Sequence, residues 1–261
     1  MKIASWNINS VRLRIKQVEE FTKLHNPDIL CLQETKVVDE SFPVKAIKKM
    51  GYEHILFRGE KSYNGVAILS KMPLAGVDKQ NIAGSFDSRH ISTMLPTGIE
   101  LHNFYIPAGG DEPDVNINPK YKFKLDFVDY MNMWFTSNRK KTDKIIILGD
   151  FNIAPMEHDV WSSRQLRNVV SHTEPEKVRL DGFKETFGWI DTARHFIPDN
   201  EKSYSWWSYR NRDWKKSDRG RRLDHIWTTS PLKDRLLSYN VVTETRDWEK
   251  PSDHAPIILQ L

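Results

Sequence analysis

The sequence is short of the features that mark several large classes of protein. It has one cysteine, Cys31, in 261 residues, which excludes an intrachain disulfide and any metal centre built from cysteines. Its uninterrupted apolar runs reach only four residues, as at Ile145–Leu148. A bilayer-crossing helix needs roughly 20. Residues 1–15 already carry Asn7, Asn9, Arg12 and Arg14, so no secretion-signal core is read there. There is no low-complexity segment, no repeat of fixed period, and no linker rich in Gly, Pro or Ser. These absences lead to the expectation of a soluble protein in a reducing, cytoplasmic compartment, folded as one domain over residues 1–261. The apolar share, 39%, is enough for a core at this length and excludes wholesale disorder.

Charge is present but unevenly spread. The whole chain carries a formal net charge of +4, yet residues 201–222 alone carry +5. That segment holds Lys202, Arg210, Arg212, Lys215, Lys216, Arg219, Arg221 and Arg222 against Glu201, Asp213 and Asp218. Tyr204, Trp206, Trp207, Tyr209 and Trp214 are interleaved among them. Cations beside stacking surfaces suit a polyanion that carries bases.

The short apolar runs repeat along the chain. Ile3–Trp6, Ile29–Leu32, Val66–Leu69, Leu101–Ile106, Ile145–Leu148, His225–Thr228 and Ile257–Leu259 all read as strands. The continuous ones suit strands covered on both faces. Val11, Ile15, Val18, Phe21 and Leu24 recur at helical spacing after Ser10, a candidate cap, and stop at Asn26-Pro27. A second helix is predicted over Lys122–Phe135, and a β meander over Ser70–Leu101. The fold class expected is therefore α/β, with helices packed outside sheets.

Polar residues end these strands. Asn7 and Asn9 follow the first, Glu34 the second, Asp150 and Asn152 the Ile145 run, and Ser252-Asp253-His254 precedes the last. Loops diverge at strand ends around rigid supports, so ligands bind there. Asp150 and Asn152 are two apart and share a face if the chain is extended, whereas Asp253 and His254 are adjacent and point apart. Glu34, Asp253 and the amide of Asn7 are hard oxygen donors. Such a set suits Mg2+ bridging to a substrate phosphate, and not structural zinc.

Six blocks carry a resemblance: Trp6-Asn7-Ile8-Asn9, Leu32-Gln33-Glu34-Thr35-Lys36, Asn103-Phe104-Tyr105-Ile106-Pro107, Gly149-Asp150-Phe151-Asn152-Ile153-Ala154-Pro155, Arg222-Leu223-Asp224-His225 and Ser252-Asp253-His254-Ala255-Pro256. In this order, from residue 2 to residue 259, they resemble the signature blocks of the exonuclease III family, within the endonuclease/exonuclease/phosphatase superfamily. The resemblance implies a four-layer α/β sandwich, two mixed sheets facing each other with helices outside. It implies Mg2+-dependent hydrolysis of DNA phosphodiesters, with Mn2+ able to substitute.

By that resemblance Asn7, Glu34 and Asp253 surround the metal, and Asp150, Asn152 and His254 join if a second metal binds. Asp150 activates the attacking water and Asn152 holds that water or the phosphate. His254 contacts the scissile phosphate with Asp224 fixing its imidazole, and Tyr105 sits near the leaving oxygen. The residues expected to meet DNA are Asn9, Lys36, Trp206, Lys215, Lys216, Arg219, Arg221, Arg222 and Leu223. The partner implied is duplex DNA with abasic sites or 3′ ends, and the protein is expected to be a monomer with no membrane and no obligate protein partner.

Three positions depart from the resemblance. Ala108 stands where many members have an amide, Ala193 where many have a pocket-lining aromatic, and Arg221 where many have an apolar or aromatic residue. Less abasic-site cleavage relative to 3′-exonuclease activity is the expectation from the last two. The alternatives are a phosphoinositide phosphatase or other phosphoesterase of the same superfamily, and a non-catalytic DNA-binding module. The Gln33-Glu34-Thr35-Lys36 block and the basic tryptophan loop argue against the first, the complete catalytic set against the second.

Overall fold

The apolar runs become strands because both of their faces are covered. In the computed structural model, which describes residues 1–211 and 213–261, the strands are β1 (Lys2–Asn7), β2 (Ile29–Gln33), β3 (His54–Arg58), β4 (Val66–Ser70), β5 (Ala75–Asp78), β6 (His90–Met94), β7 (Glu100–Tyr105), β8 (Ile145–Asp150), β9 (Ile190–Asp191), β10 (Trp206–Trp207), β11 (Gly220–Arg221), β12 (Asp224–Thr228), β13 (Ser238–Val241) and β14 (Ile257–Gln260). The helices are α1 (Ile15–His25), α2 (Val44–Lys49), α3 (Pro119–Asn138), α4 (Ser163–Leu166), α5 (Glu174–Phe187), α6 (Thr192–Phe196) and α7 (Trp214–Ser217).

Two six-stranded sheets result, ordered β13-β14-β1-β2-β4-β3 and β5-β6-β7-β8-β12-β9. Each is mixed, with one parallel pair, β1–β2 in the first and β7–β8 in the second. Between the sheets Ile3, Ile29 and Val66 meet Leu101, Ile146 and Ile226. On the outer face of the first sheet Trp6, Leu30 and Leu69 pack with Val18 and Phe21 of α1 and Ile47 of α2. On the outer face of the second, Ile145, Ile147 and Trp227 pack with Phe127 and Met131 of α3 and Phe183 of α5. The expected four-layer sandwich is thus present.

β8 is apolar on both faces, so hydrophobic alternation alone leaves its orientation open. Polar contacts instead fix the facing of its neighbour β7 against β2 of the other sheet. Gln33 Nε2 donates to Asn103 Oδ1 (2.7 Å) and Ser5 Oγ (3.1 Å), and Asn103 Nδ2 donates to the carbonyls of Leu32 and Ala67. All three side chains are buried, where an unmatched polar group costs about 1–3 kcal/mol. Gly149, at φ +134°, lets β8 lie against β7, since a Cβ there would stand 1.9 Å from the Phe104 carbonyl oxygen.

Three expectations change, and the meander expected over Ser70–Leu101 is present as β5, β6 and β7, paired antiparallel in that order. The first helix begins at Ile15, not Val11: residues 11–14 form turns, and Arg14 at φ −112°, ψ 22° lies outside the helical conformation. The chain is not extended through Asn152, which takes φ +53°. Ala193 is buried in α6 against the core between the sheets and is not among the residues that line the cleft beside the strand ends. The helix predicted over Lys122–Phe135 lies within α3, started by the Asn118 side chain accepting from the N–H groups of Lys120 and Tyr121.

Candidate active site

The topology brings the polar strand ends to one edge. The parallel pairs deliver their C-terminal ends: Asn7 from β1, Glu34 just past β2, Tyr105 from β7 and Asp150 from β8. β12 and β14 run antiparallel to β8 and β1, so their N-terminal ends arrive at the same edge with Asp224 and with Asp253-His254. Asp224 and Asp150 are direct cross-strand partners.

Asn7 Nδ2 donates to Glu34 Oε1 and to Asp150 Oδ2, both at 2.9 Å, while its Oδ1 accepts from the Asn9 N–H. The amide therefore turns its nitrogen, not its oxygen, toward the acids. Tyr105 OH donates to Glu34 Oε1 at 2.8 Å, and Lys36 Nζ lies 2.6 Å from Glu34 Oε2. Lys36 also donates to Asn9 Oδ1, and Asn9 Nδ2 donates to Asp253 Oδ1. Asn9 and Lys36, expected at DNA, thus join Glu34 to Asp253 as well. The other oxygen of Asp253 accepts from Trp206 Nε1 at 3.0 Å.

The second cluster is built on His254. Its Nδ1 lies 2.8 Å from Asp224 Oδ2, and its Nε2 lies 3.7 Å from Asp150 Oδ2. Ser205 Oγ donates to the same Asp224 oxygen at 2.6 Å and accepts from the N–H groups of Leu223 and Asp224. Ser205 is a residue that sequence reasoning missed; nothing local distinguishes it from the other serines. Asn152 folds back, its N–H donating to Asp150 Oδ1 (2.9 Å) and its Nδ2 to Asp150 Oδ2 (3.1 Å). The left-handed turn replaces the shared strand face, yet the two side chains still meet.

Burial and charge set the protonation states. Burial alone disfavours the imidazolium of His254, but Asp224 and then Asp150 outweigh it and raise its pKa to about 10. Burial raises Asp150 to about 7, opposed by His254 and reinforced by Asp224. Burial also opposes ionisation of Glu34, yet Lys36 and Asn7 hold its carboxyl below the ordinary range. Asp253 is likewise held low, chiefly by His254 against its burial.

A divalent cation fits this edge. The carboxylates of Glu34, Asp150, Asp224 and Asp253 outnumber Lys36 and the imidazolium of His254, and the donors are oxygens. Single ligand atoms of Asp150, Asp224 and His254 lie within 4.8 Å of one another. An oxygen-rich, net-negative site suits a hard cation such as Mg2+.

The edge opens into a cleft of about 600 Å³. Tyr105, Asn152 and His254 lie along it, facing Trp161, Trp206 and Arg221. Arg219 stacks on Trp161 (4.8 Å to the ring centre) and Arg221 on Trp206 (5.2 Å). Arg221 Nη1 also donates to Ser171 Oγ at 2.7 Å and to the Val170 carbonyl. Trp161 was not foreseen, because it lies outside the signature blocks, six residues past Pro155. Trp206 faces the cleft whereas Trp207 is buried. Leu223 lines the cleft although its side chain is mostly buried in a small apolar cluster.

Arg222 is a correction. It is fully buried and bidentate on Asp159 (2.7 and 2.8 Å), with Nη1 2.8 Å from Asp191 Oδ2, so no part of it reaches DNA. Lys215 and Lys216 are exposed on α7 outside the cleft lining, and Lys215 pairs with Asp247. Arg212, part of the basic run, lies outside the described residues.

A sequence model of the Endonuclease/Exonuclease/phosphatase family matches residues 4–254. Exodeoxyribonuclease III of Haemophilus influenzae is 32% identical, over 98% of this chain and 98% of that protein. The structure of an AP endonuclease from Archaeoglobus fulgidus is similar with a TM-score of 0.93 and 33% identity, covering 99% of this chain and 98% of that one. That of the 3′ phosphatase NExo from Neisseria, bound to a product DNA hairpin, is similar with a TM-score of 0.90 and 30% identity, covering 100% and 99%.

Proposed function

Because the chain belongs to the endonuclease/exonuclease/phosphatase family, we propose that it is a DNA-repair nuclease that hydrolyses phosphodiesters of duplex DNA. Its main reaction is 3′-to-5′ exonucleolytic release, with abasic-site endonuclease and 3′-phosphatase or phosphodiesterase activity beside it. The names of its relatives support that range. The observation that carries the reading is the meeting, at one edge of the sandwich, of Glu34, Asp150 and Asp253 with the Asp224–His254 pair, below a cleft walled by Trp161, Trp206 and Arg221.

Asp150 accepts the proton of the attacking water. Its carboxyl, raised to about 7, is matched to that work near neutral pH. Asn152 fixes the orientation of Asp150 through two hydrogen bonds. His254, cationic through Asp224, stabilises the charge that builds on the non-bridging oxygens. Tyr105 presents a hydroxyl beside Glu34 to the leaving side of the phosphate. Glu34, Asp253 and the Asn7 amide, with its oxygen turned toward the acids, would hold Mg2+ or Mn2+, which would supply Lewis acidity to the phosphoryl oxygens. Arg219, Arg221 and Trp206 bind the DNA.

The whole chain is proposed to act as one catalytic domain and as a monomer, in the cytoplasm. No helix among the described residues is long and apolar enough to cross a membrane, and Cys31 is a free, buried thiol. The test is Mg2+-dependent release of nucleotides from blunt duplex DNA, set against release of phosphate from an inositol phosphate. Nucleotide release abolished by EDTA is expected; release from the inositol phosphate alone overturns the reading in favour of a phosphatase.

A further inference from the structure

Beneath the cleft lies an ion pair with no part in the chemistry described above. Lys124 of α3 and Glu176 of α5 both have fully buried side chains, with Lys124 Nζ 2.5 Å from Glu176 Oε1. A buried pair of this kind adds little stability over an apolar pair of the same volume, because desolvation offsets the attraction. Its remaining contacts are specific. Lys124 Nζ donates to the carbonyl oxygens of Asn152 (2.7 Å) and Ala108 (3.2 Å). The Glu176 carboxylate accepts from the N–H groups of Ser171 (2.9 Å) and Thr173 (3.0 Å) and from Thr173 Oγ1 (2.6 Å).

Those partners belong to three separate loops that wall the cleft. The loop after β7 carries Ala108, the loop after β8 carries Asn152, and the loop before α5 carries Val170 and Ser171, the anchors of Arg221. Asn152 sits at φ +53°, uncommon outside glycine though asparagine takes it more readily than most residues, and in it the amide reaches Asp150. Gly109 closes over the lysine stem, where a Cβ would stand 2.8 Å from Lys124 Cδ.

We propose that the Lys124–Glu176 pair is a positioning device that ties these three loops to the outer helices, and so sets Asn152 against Asp150 and Arg221 against the cleft. The functional half of this inference rests on the nuclease reading; the mechanical half does not. An error of about 1 Å in such a constellation costs on the order of 10²-fold in rate.

The experiment uses the full chain carrying K124M and E176Q together. This change removes both charges, keeps the volumes, and leaves an amide oxygen for Ser171 and Thr173. Hydrogen exchange is followed at the amides of Asn152, Ala154, Ser171 and Thr173, with the melting temperature and the steady-state kinetics on duplex DNA. The expected result is exchange at least about tenfold faster at these amides, a melting temperature within a few degrees of the parent, and kcat at least about tenfold lower at unchanged KM. Parent-like exchange and kcat in the folded variant overturn the proposal. A fall in kcat that comes with faster exchange throughout the chain makes the pair merely structural and overturns it too. If the double variant does not fold, K124R keeps the charge and displaces the donor; it is expected to speed exchange at the same amides to a smaller degree, and parent-like exchange there is equally fatal. A parent that exchanges as described but does not cut DNA refutes the nuclease reading and leaves the positioning result readable.

Discussion

Arg222 offers the sharpest check on how the basic run is divided. Its neighbour Arg221 faces the cleft, whereas Arg222 is enclosed with Asp159 and Asp191. Arg222→Met keeps most of the volume and removes the charge. Breaking a buried pair costs about 3–5 kcal/mol, because a carboxylate is left unmatched. Arg194 still contacts Asp159 at 2.5 Å, and Asp191 still caps α6, so the lower end, about 3 kcal/mol, applies. At roughly 2–4 °C per kcal/mol for a chain of this size, the melting temperature falls by about 6–12 °C. The loss also depends on pH. Burial opposes ionisation of Asp159, but Arg222 and Arg194 hold its carboxyl well below the ordinary range. The stability this contributes is complete above about pH 4, the unfolded value, and is lost as pH falls through the folded one. The variant lacks most of that depression, so its deficit is largest near neutrality and narrows in acid. Calorimetry and duplex-binding titrations over a salt series read both sides. DNA affinity and its salt slope are expected to match the parent. A parent-like melting temperature with a log–log slope reduced by about 0.9 would mean that Arg222 touches a phosphate, and would refute the burial argument.

Four further outcomes are expected. Asp150→Asn keeps the hydrogen-bonding shape without a proton acceptor, so kcat falls about 10²–10⁴-fold while DNA still binds; near-normal turnover rules Asp150 out as the base. Glu34→Gln raises the Mg2+ concentration needed for half-maximal rate, and an unchanged metal titration removes Glu34 from the metal site. Arg221→Ala clears the strut between Trp206 and Ser171 and shifts cleavage toward an internal abasic analogue over a recessed 3′ end by about tenfold to a hundredfold. Ala193→Phe, by contrast, overpacks the core between the sheets and lowers stability without moving that ratio, which denaturation and the paired assay separate.

Much of the site was legible because it is made of short blocks. Asn7, Glu34, Tyr105, Asp150, Asp224 and His254 each sit at or beside a strand end, and strand ends are marked in the sequence by a change from apolar run to polar residue. What lies between blocks was not legible. Trp161 stacks under Arg219, Ser205 holds Asp224, and Lys124 reaches the Asn152 carbonyl from a helix 28 residues away. None of these has a local signal, since each acts through a contact that only packing creates.

The sequence by itself determined the residue types at the strand ends, the alternation of strands with helices, and therefore the edge at which the carboxylates and the histidine gather. Tertiary structure alone decided which neighbours face inward. Arg221 and Arg222 are adjacent and identical in type, and successive side chains along extended chain point to opposite sides. One of the two had to turn toward the cleft and the other toward Asp159. No pattern of residue type distinguishes them, because the discriminating partner, a buried aspartate 63 residues away, is brought there only by the folding of the sheets.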